Sequence, residues 1–128
     1  GSVTAGLALI DTMQSLDCPV ITVGEGVVAS MAAVILACGD HRQVYRHTQV
    51  LIHQLMGGTG MAQQTDIEIV AQHTAAMRAE LDELLAEHGN LSAQEFHELT
   101  ERDCWCNARR ALELGLVDEV IAPSKKAL

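Results

Sequence analysis

The run from Ala62 to His88 does most to limit what this chain can become. Apolar or small residues recur at Ile67, Val70, Thr74, Met77, Leu81 and Leu84, in steps of three and four, which is the seam of a coiled-coil-like helix. The other faces carry Glu68, Glu80, Asp82, Glu83 and Glu87 against a single Arg78. Such a helix must cover its seam with its own core or with a partner subunit, and the pattern leaves both open. The chain has 128 residues, enough for one modest domain and too short for two.

Around this helix the pattern alternates. Thr4 is placed to cap a helix through Leu7, Ile10, Met13 and Leu16, stopped at Asp17-Cys18-Pro19. Val20 to Val23 reads as a buried strand, broken by Gly24-Glu25-Gly26. Ala29 to Cys38 is apolar and alanine-rich and reads as a buried helix that Gly39 ends. Strands are expected over Gln43–Arg46 and Gln49–Gln54, followed by an irregular glycine-rich stretch through Gly60. Gly89-Asn90 closes the long helix, and Ser92 with Glu95 forms a capping box for the next. Asn107 is expected to cap a helix over Ala108–Leu114, with Leu116 to Ile121 as a last strand and a frayed tail from Pro123. Strands alternating with helices give an α/β class.

Composition removes several functions. Three aromatic residues, Tyr45, Phe96 and Trp105, leave little for stacking on bases, and a net charge of -9 disfavours a phosphate backbone. No apolar run reaches the ~18 residues of a membrane span, and no signal peptide is visible. Cys18 and Cys38 lie in apolar runs and read as small core residues. Cys104 and Cys106 form a C-x-C pair without a second ligand cluster at zinc spacing, so no metal is expected and the thiols fit a reducing, cytoplasmic compartment.

Chemistry could sit at Ser30. It stands at an expected strand-to-helix turn, where a serine is either a plain N-cap or a nucleophile with an oxyanion donor in the next N–H, that of Met31. A serine needs a base. Of six histidines, His41 and His47 lie in a polar turn, and His73, His88 and His97 on polar helix faces or helix ends. His53 ends the apolar strand Val50-Leu51-Ile52 beside a loop. A carboxylate must then orient the imidazole, and spacing alone does not choose among the 17 present. Asp103 has no special local signal, at the end of a helix in Thr100-Glu101-Arg102-Asp103.

Several segments in order resemble the proteolytic subunit of the Clp protease. They are Gly1-Ser2-Val3-Thr4-Ala5-Gly6 with Asp11-Thr12-Met13-Gln14, Gly26-Val27-Val28-Ala29-Ser30-Met31, Leu51-Ile52-His53-Gln54, Thr65-Asp66-Ile67-Glu68-Ile69, Thr100-Glu101-Arg102-Asp103 and Ala111-Leu112-Glu113-Leu114-Gly115-Leu116-Val117-Asp118. The resemblance implies a ClpP/crotonase-like fold of repeated β-β-α units, one domain over residues 1–128 with a protruding handle at about 55–88. It implies a triad of Ser30, His53 and Asp103, with the N–H groups of Gly1 and Met31 as oxyanion donors. The activity implied is hydrolysis of peptide bonds in unfolded chains, without a cofactor. The partners implied are further copies of the chain in two stacked seven-membered rings and a hexameric AAA+ unfoldase that uses the ATP.

The sequence departs from that family at Leu55, where a proline is usual, and at Ala32, where a glycine is. The turn at Asp40 looks about two residues shorter, the Gly57–Gly60 loop about one longer, and Cys104-Trp105-Cys106-Asn107 replaces the usual Phe-x-Ser-Ala in the expected helix after Asp103. Upstream strands of the family's sheet have no counterpart, so a fragment of a longer protein is expected. Two rivals are a catalytically silent subunit of a mixed ring and an acyl-CoA enzyme of the crotonase superfamily.

Overall fold

The computed structural model describes residues 1–122, so the expected frayed tail from Pro123 lies outside the described residues. Helix α1 spans Val3–Gln14. Strands β1 (Ile21–Gly24) and β2 (Val27–Ala29) lead into helix α2 (Met31–Ala37). Strands β3 (His41–Tyr45) and β4 (Gln49–Ile52) lead into helix α3 (Gln64–His88). Helix α4 (Ala93–Leu99), strand β5 (Cys104–Asn107), helix α5 (Ala108–Glu113) and strand β6 (Glu119–Ile121) complete the order.

Two β-β-α units follow one another, β1-β2-α2 and β3-β4-α3. Their equivalent strands pair in parallel, β1 with β3 and β2 with β4, as helical crossovers require. The result is two three-stranded sheets, β1-β3-β6 and β2-β4-β5. In the second, β5 runs antiparallel to β4. Helix α2 lies in the middle of the core. Ala33 and Ala37 are fully buried there, in one cluster with Val44, Val50, Phe96 and Leu116.

Several expected boundaries shift for local reasons. Ser2, not Thr4, caps α1, accepting from the Ala5 N–H at 3.3 Å. The helix expected from Ala29 begins at Met31, and Val27–Ala29 forms a strand instead, because β4 offers a parallel edge in register with it. The largest correction concerns Cys104–Asn107. The expected helix is a strand, with Val50 opposite Cys106 and Ile52 opposite Cys104. Alternation explains it, since Cys106 is buried while Trp105 and Asn107 are exposed. Asp103 therefore precedes a strand rather than ending a helix. Cys18 is exposed, not a core residue, whereas burial pushes the Cys38 thiol up to about 11.

The two halves of α3 differ. From Leu81 onward it packs on the core, with Asp82 and Leu85 buried, while Ile67 and Ile69 in the first half are exposed. The whole helix of 25 residues is about 38 Å long at ~1.5 Å per residue, and only its first half lies off the core.

A buried cation ties the core together. Arg42 on β3 donates to the Asp118 carboxylate at 3.0 and 2.6 Å and to the carbonyls of Ala37, His88 and Gly115 at 3.1, 2.7 and 2.7 Å. These hydrogen bonds hold the Asp118 carboxyl below the usual aspartate range. A group depressed on folding stabilises above its unfolded pKa of ~3.9 and loses that contribution as pH falls through its folded pKa. Urea midpoints are expected to drop from pH 5 to pH 3, and Asp118→Asn is expected to be less stable at pH 5 and to drop less.

Candidate functional site

Three adjacent strands deliver their ends to one place. Strand β2 ends at Ala29, paired with Leu51 of β4, and the Ser30 N–H donates to the Leu51 carbonyl at 2.9 Å. Strand β4 ends at Ile52, so His53 follows one residue beyond the position beside Ser30. Strand β5 begins at Cys104, opposite Ile52, and one further step of that antiparallel register sets His53 across from Asp103. Ser30, His53 and Asp103 thus leave the same edge of one sheet on neighbouring strands in the order β2-β4-β5.

Ser30 has φ 61° and ψ -127°, and among the described residues it is the one non-glycine with positive φ. L-residues avoid this conformation, at a cost on the order of 1–3 kcal/mol. Its side chain makes no capping hydrogen bond, so the plain N-cap reading of Ser30 does not hold. Strain without a capping role is what a sharply turned strand-to-helix nucleophile shows. Met31 opens α2, so its N–H belongs to the first turn, whose donors have no partner inside the helix. Gly1 lies against it, where an added Cβ would come 3.8 Å from the Met31 Cβ.

Ser30, Met31, Gly1 and His53 line one cavity of about 110 Å³. His53 and Asp103 line a neighbouring cleft with Glu101 and Arg102. Among the described residues no hydrogen bond joins His53 to Ser30 or to Asp103, and Asp103 is exposed. Catalytic hydrogen bonds that are loose in a free chain tighten when substrate binds. Arg102 forms no ion pair among the described residues.

The backbone around His53 is clamped. The Gln54 N–H donates to the Thr100 carbonyl at 2.8 Å, and its side-chain amide to the Glu101 carbonyl at 2.8 Å. Arg78 of α3 donates to Gln54 Oε1 at 2.8 Å and to Glu101 Oε2 at 3.0 Å. This pair holds the Glu101 carboxyl below the usual range. The long helix therefore reaches the His53 and Asp103 segments through one guanidinium. Sequence reasoning passed over Arg78 and Asp82, although the spacing Arg78, Leu81, Asp82, Leu85 marks one helix face.

The sequence pattern of the family described as Clp protease matches residues 1–124. The chain belongs to the Clp protease family. Relatives in this family include the "ATP-dependent Clp protease proteolytic subunit" of Streptococcus sanguinis (strain SK36), 42% identical over 127 residues, which are 97% of this chain and 65% of that protein. The protein of the same description from Lactococcus lactis subsp. cremoris (strain SK11) is 41% identical over 124 residues, 94% of this chain and 62% of that protein. That from Streptococcus pneumoniae (strain Hungary19A-6) is 42% identical over 125 residues, 95% and 64%. The chain thus spans 62–65% of the length of these curated relatives. The repeated β-β-α units and the α/β class fit the Clp fold, and membership in this family weighs against the acyl-CoA rival.

No group of three or more histidine, cysteine or acidic residues suited to a metal occurs among the described residues. Cys104 Sγ and Cys106 Sγ lie 3.8 Å apart, and burial first, then Cys104, push the Cys106 thiol up to about 12. No helix among the described residues is long and apolar enough to cross a membrane.

Gly6 sits under the site. It is buried, and a Cβ there would collide with the side chain of Met31, itself 5% exposed. Gly6→Ala must therefore move a packed methionine beside Ser30. Overpacking of this kind costs about 1–3 kcal/mol. A lowered urea midpoint for Gly6→Ala is the expected result.

Proposed function

We propose that this chain is a serine peptidase subunit that cuts unfolded polypeptides. Ser30 is the nucleophile, His53 the base and Asp103 the carboxylate that orients it. The observation that carries this reading is the register that brings the ends of β2, β4 and β5 to one sheet edge, with Ser30 held at φ 61°. In this reading Ser30 Oγ attacks the substrate carbonyl while His53 takes its proton, and Asp103 stabilises the imidazolium. The N–H groups of Met31 and Gly1 hold the tetrahedral oxyanion, and water activated by His53 releases the acyl group from Ser30.

The domain is the single peptidase unit of a ring assembly, two stacked heptamers, with the segment about 55–88 as the handle between rings. The exposed Ile67 and Ile69 on the projecting half of α3 support a partner there. A hexameric AAA+ unfoldase supplies unfolded chains and spends the ATP. The work is cytoplasmic and needs no cofactor in this chain.

The test is degradation of an unfolded protein by the complete protein, with His53→Ala and Asp103→Asn beside it. His53→Ala is expected to lower kcat by roughly 10⁶-fold and Asp103→Asn by roughly 10⁴-fold. Undiminished cleavage in either variant would overturn the assignment.

A further inference from the structure

The cavity beside Ser30 is lined by aliphatic side chains, Val3, Val34, Ile52 and Leu85 among them. Asp82 of α3 lines it too, and its side chain is 7% exposed. One of its oxygens, Oδ2, meets His97 Nδ1 at 2.7 Å. The other, Oδ1, receives no hydrogen bond among the described residues, yet it is not among the fully enclosed polar atoms left unpaired.

Arg78 also lines the cavity, and its two terminal nitrogens donate to Gln54 Oε1, to the His97 carbonyl and to the Glu101 carboxylate, while its Nε is buried without a partner among the described residues. Arg78 pairs with Glu101 at 3.0 Å, while Asp82 has Oδ1 beside the cavity without a hydrogen-bond partner among the described residues. A carboxylate taken out of water needs such a partner.

We propose, on the peptidase reading above, that Asp82 determines which substrate side chain enters this cavity. The site selects a P1 residue with an apolar stem and a cationic tip, lysine or arginine, over leucine. The stem packs on the aliphatic wall, and the tip donates to Asp82 Oδ1. Charge-assisted hydrogen bonds in a water-poor cavity are strong enough to discriminate by a factor of about ten or more.

The test uses the complete protein and peptidyl diphenyl phosphonates that differ only at P1. A small fluorophosphonate without a P1 side chain reports separately on Ser30 as nucleophile. The lysine probe is expected to modify Ser30 at least about tenfold faster than the leucine probe. Asp82→Asn is expected to bring that ratio near one, and Asp82→Glu to restore part of it. Equal or faster reaction of the leucine probe in the unsubstituted protein overturns the proposal, as does a ratio that survives Asp82→Asn. The unsubstituted ratio decides even if Asp82→Asn does not fold. Ser30 labelled by the fluorophosphonate without lysine preference sinks the role of Asp82 alone. Ser30 inert to every probe sinks the peptidase reading, and this proposal with it.

Discussion

Ser30→Gly is expected to abolish peptide hydrolysis and to melt higher than Ser30→Ala. Either substitution removes the nucleophile, so kcat falls by roughly 10⁶-fold, leaving only what oxyanion donors and binding provide. Their stabilities should differ because Ser30 is held at φ 61° and ψ -127°. Alanine keeps that strain, whereas glycine adopts the conformation freely. The relief, on the order of 1–3 kcal/mol, exceeds the ~0.4–1 kcal/mol that glycine adds to the entropy of the unfolded chain. Activity and thermal midpoint measured on the same preparations check both halves. Equal melting of the two variants would mean that the turn at Ser30 stores no strain.

Arg42→Met is expected to be the most damaging core substitution, costing about 3 kcal/mol or more. The Arg42 side chain is 11% exposed and serves four separate parts of the chain. Its NH1 alone binds carbonyls at the ends of α2 and α3 and after α5. Methionine fills the volume but leaves Ala37, His88 and Gly115 with unpaired carbonyls and Asp118 without its cation. Breaking one side of a buried pair costs about 3–5 kcal/mol, and each orphaned acceptor adds to it. Removing Asp118 as well would not rescue the variant, because the carbonyls would still lack donors. A urea midpoint for Arg42→Met close to that of the unsubstituted protein would show that packing, not this network, holds the four segments.

Much of the fold was legible because it rests on local pattern. The long helix, the capping box at Ser92 and the buried alanine-rich helix follow from periodicity and capping, and all three stand. What escaped depends on residues far apart in sequence. The strand Val27–Ala29 exists because β4 pairs with it, and Cys104–Asn107 is extended because β4 pairs with it from the other side. Asp103 carried no local signal for the same reason, since its place opposite His53 is a property of that antiparallel register. Arg42 went unremarked in the sequence, and its burial shows only when the ends of α2, α3 and α5 converge. Along the seam read in α3, Ile67 is 47% accessible and Val70, Thr74, Met77, Leu81 and Leu84 are half-buried, while the residues of that helix buried in this chain are Leu85 and Asp82, which was read on a polar face.

The central claim is that Ser30 is an activated nucleophile, and the intact mass of the complete protein after exposure to a fluorophosphonate tests it most directly. One adduct per chain, mapped to Ser30 and absent from Ser30→Ala and from His53→Ala, is the result expected. A folded, assembled protein that carries no adduct, or carries it on another serine, would contradict it.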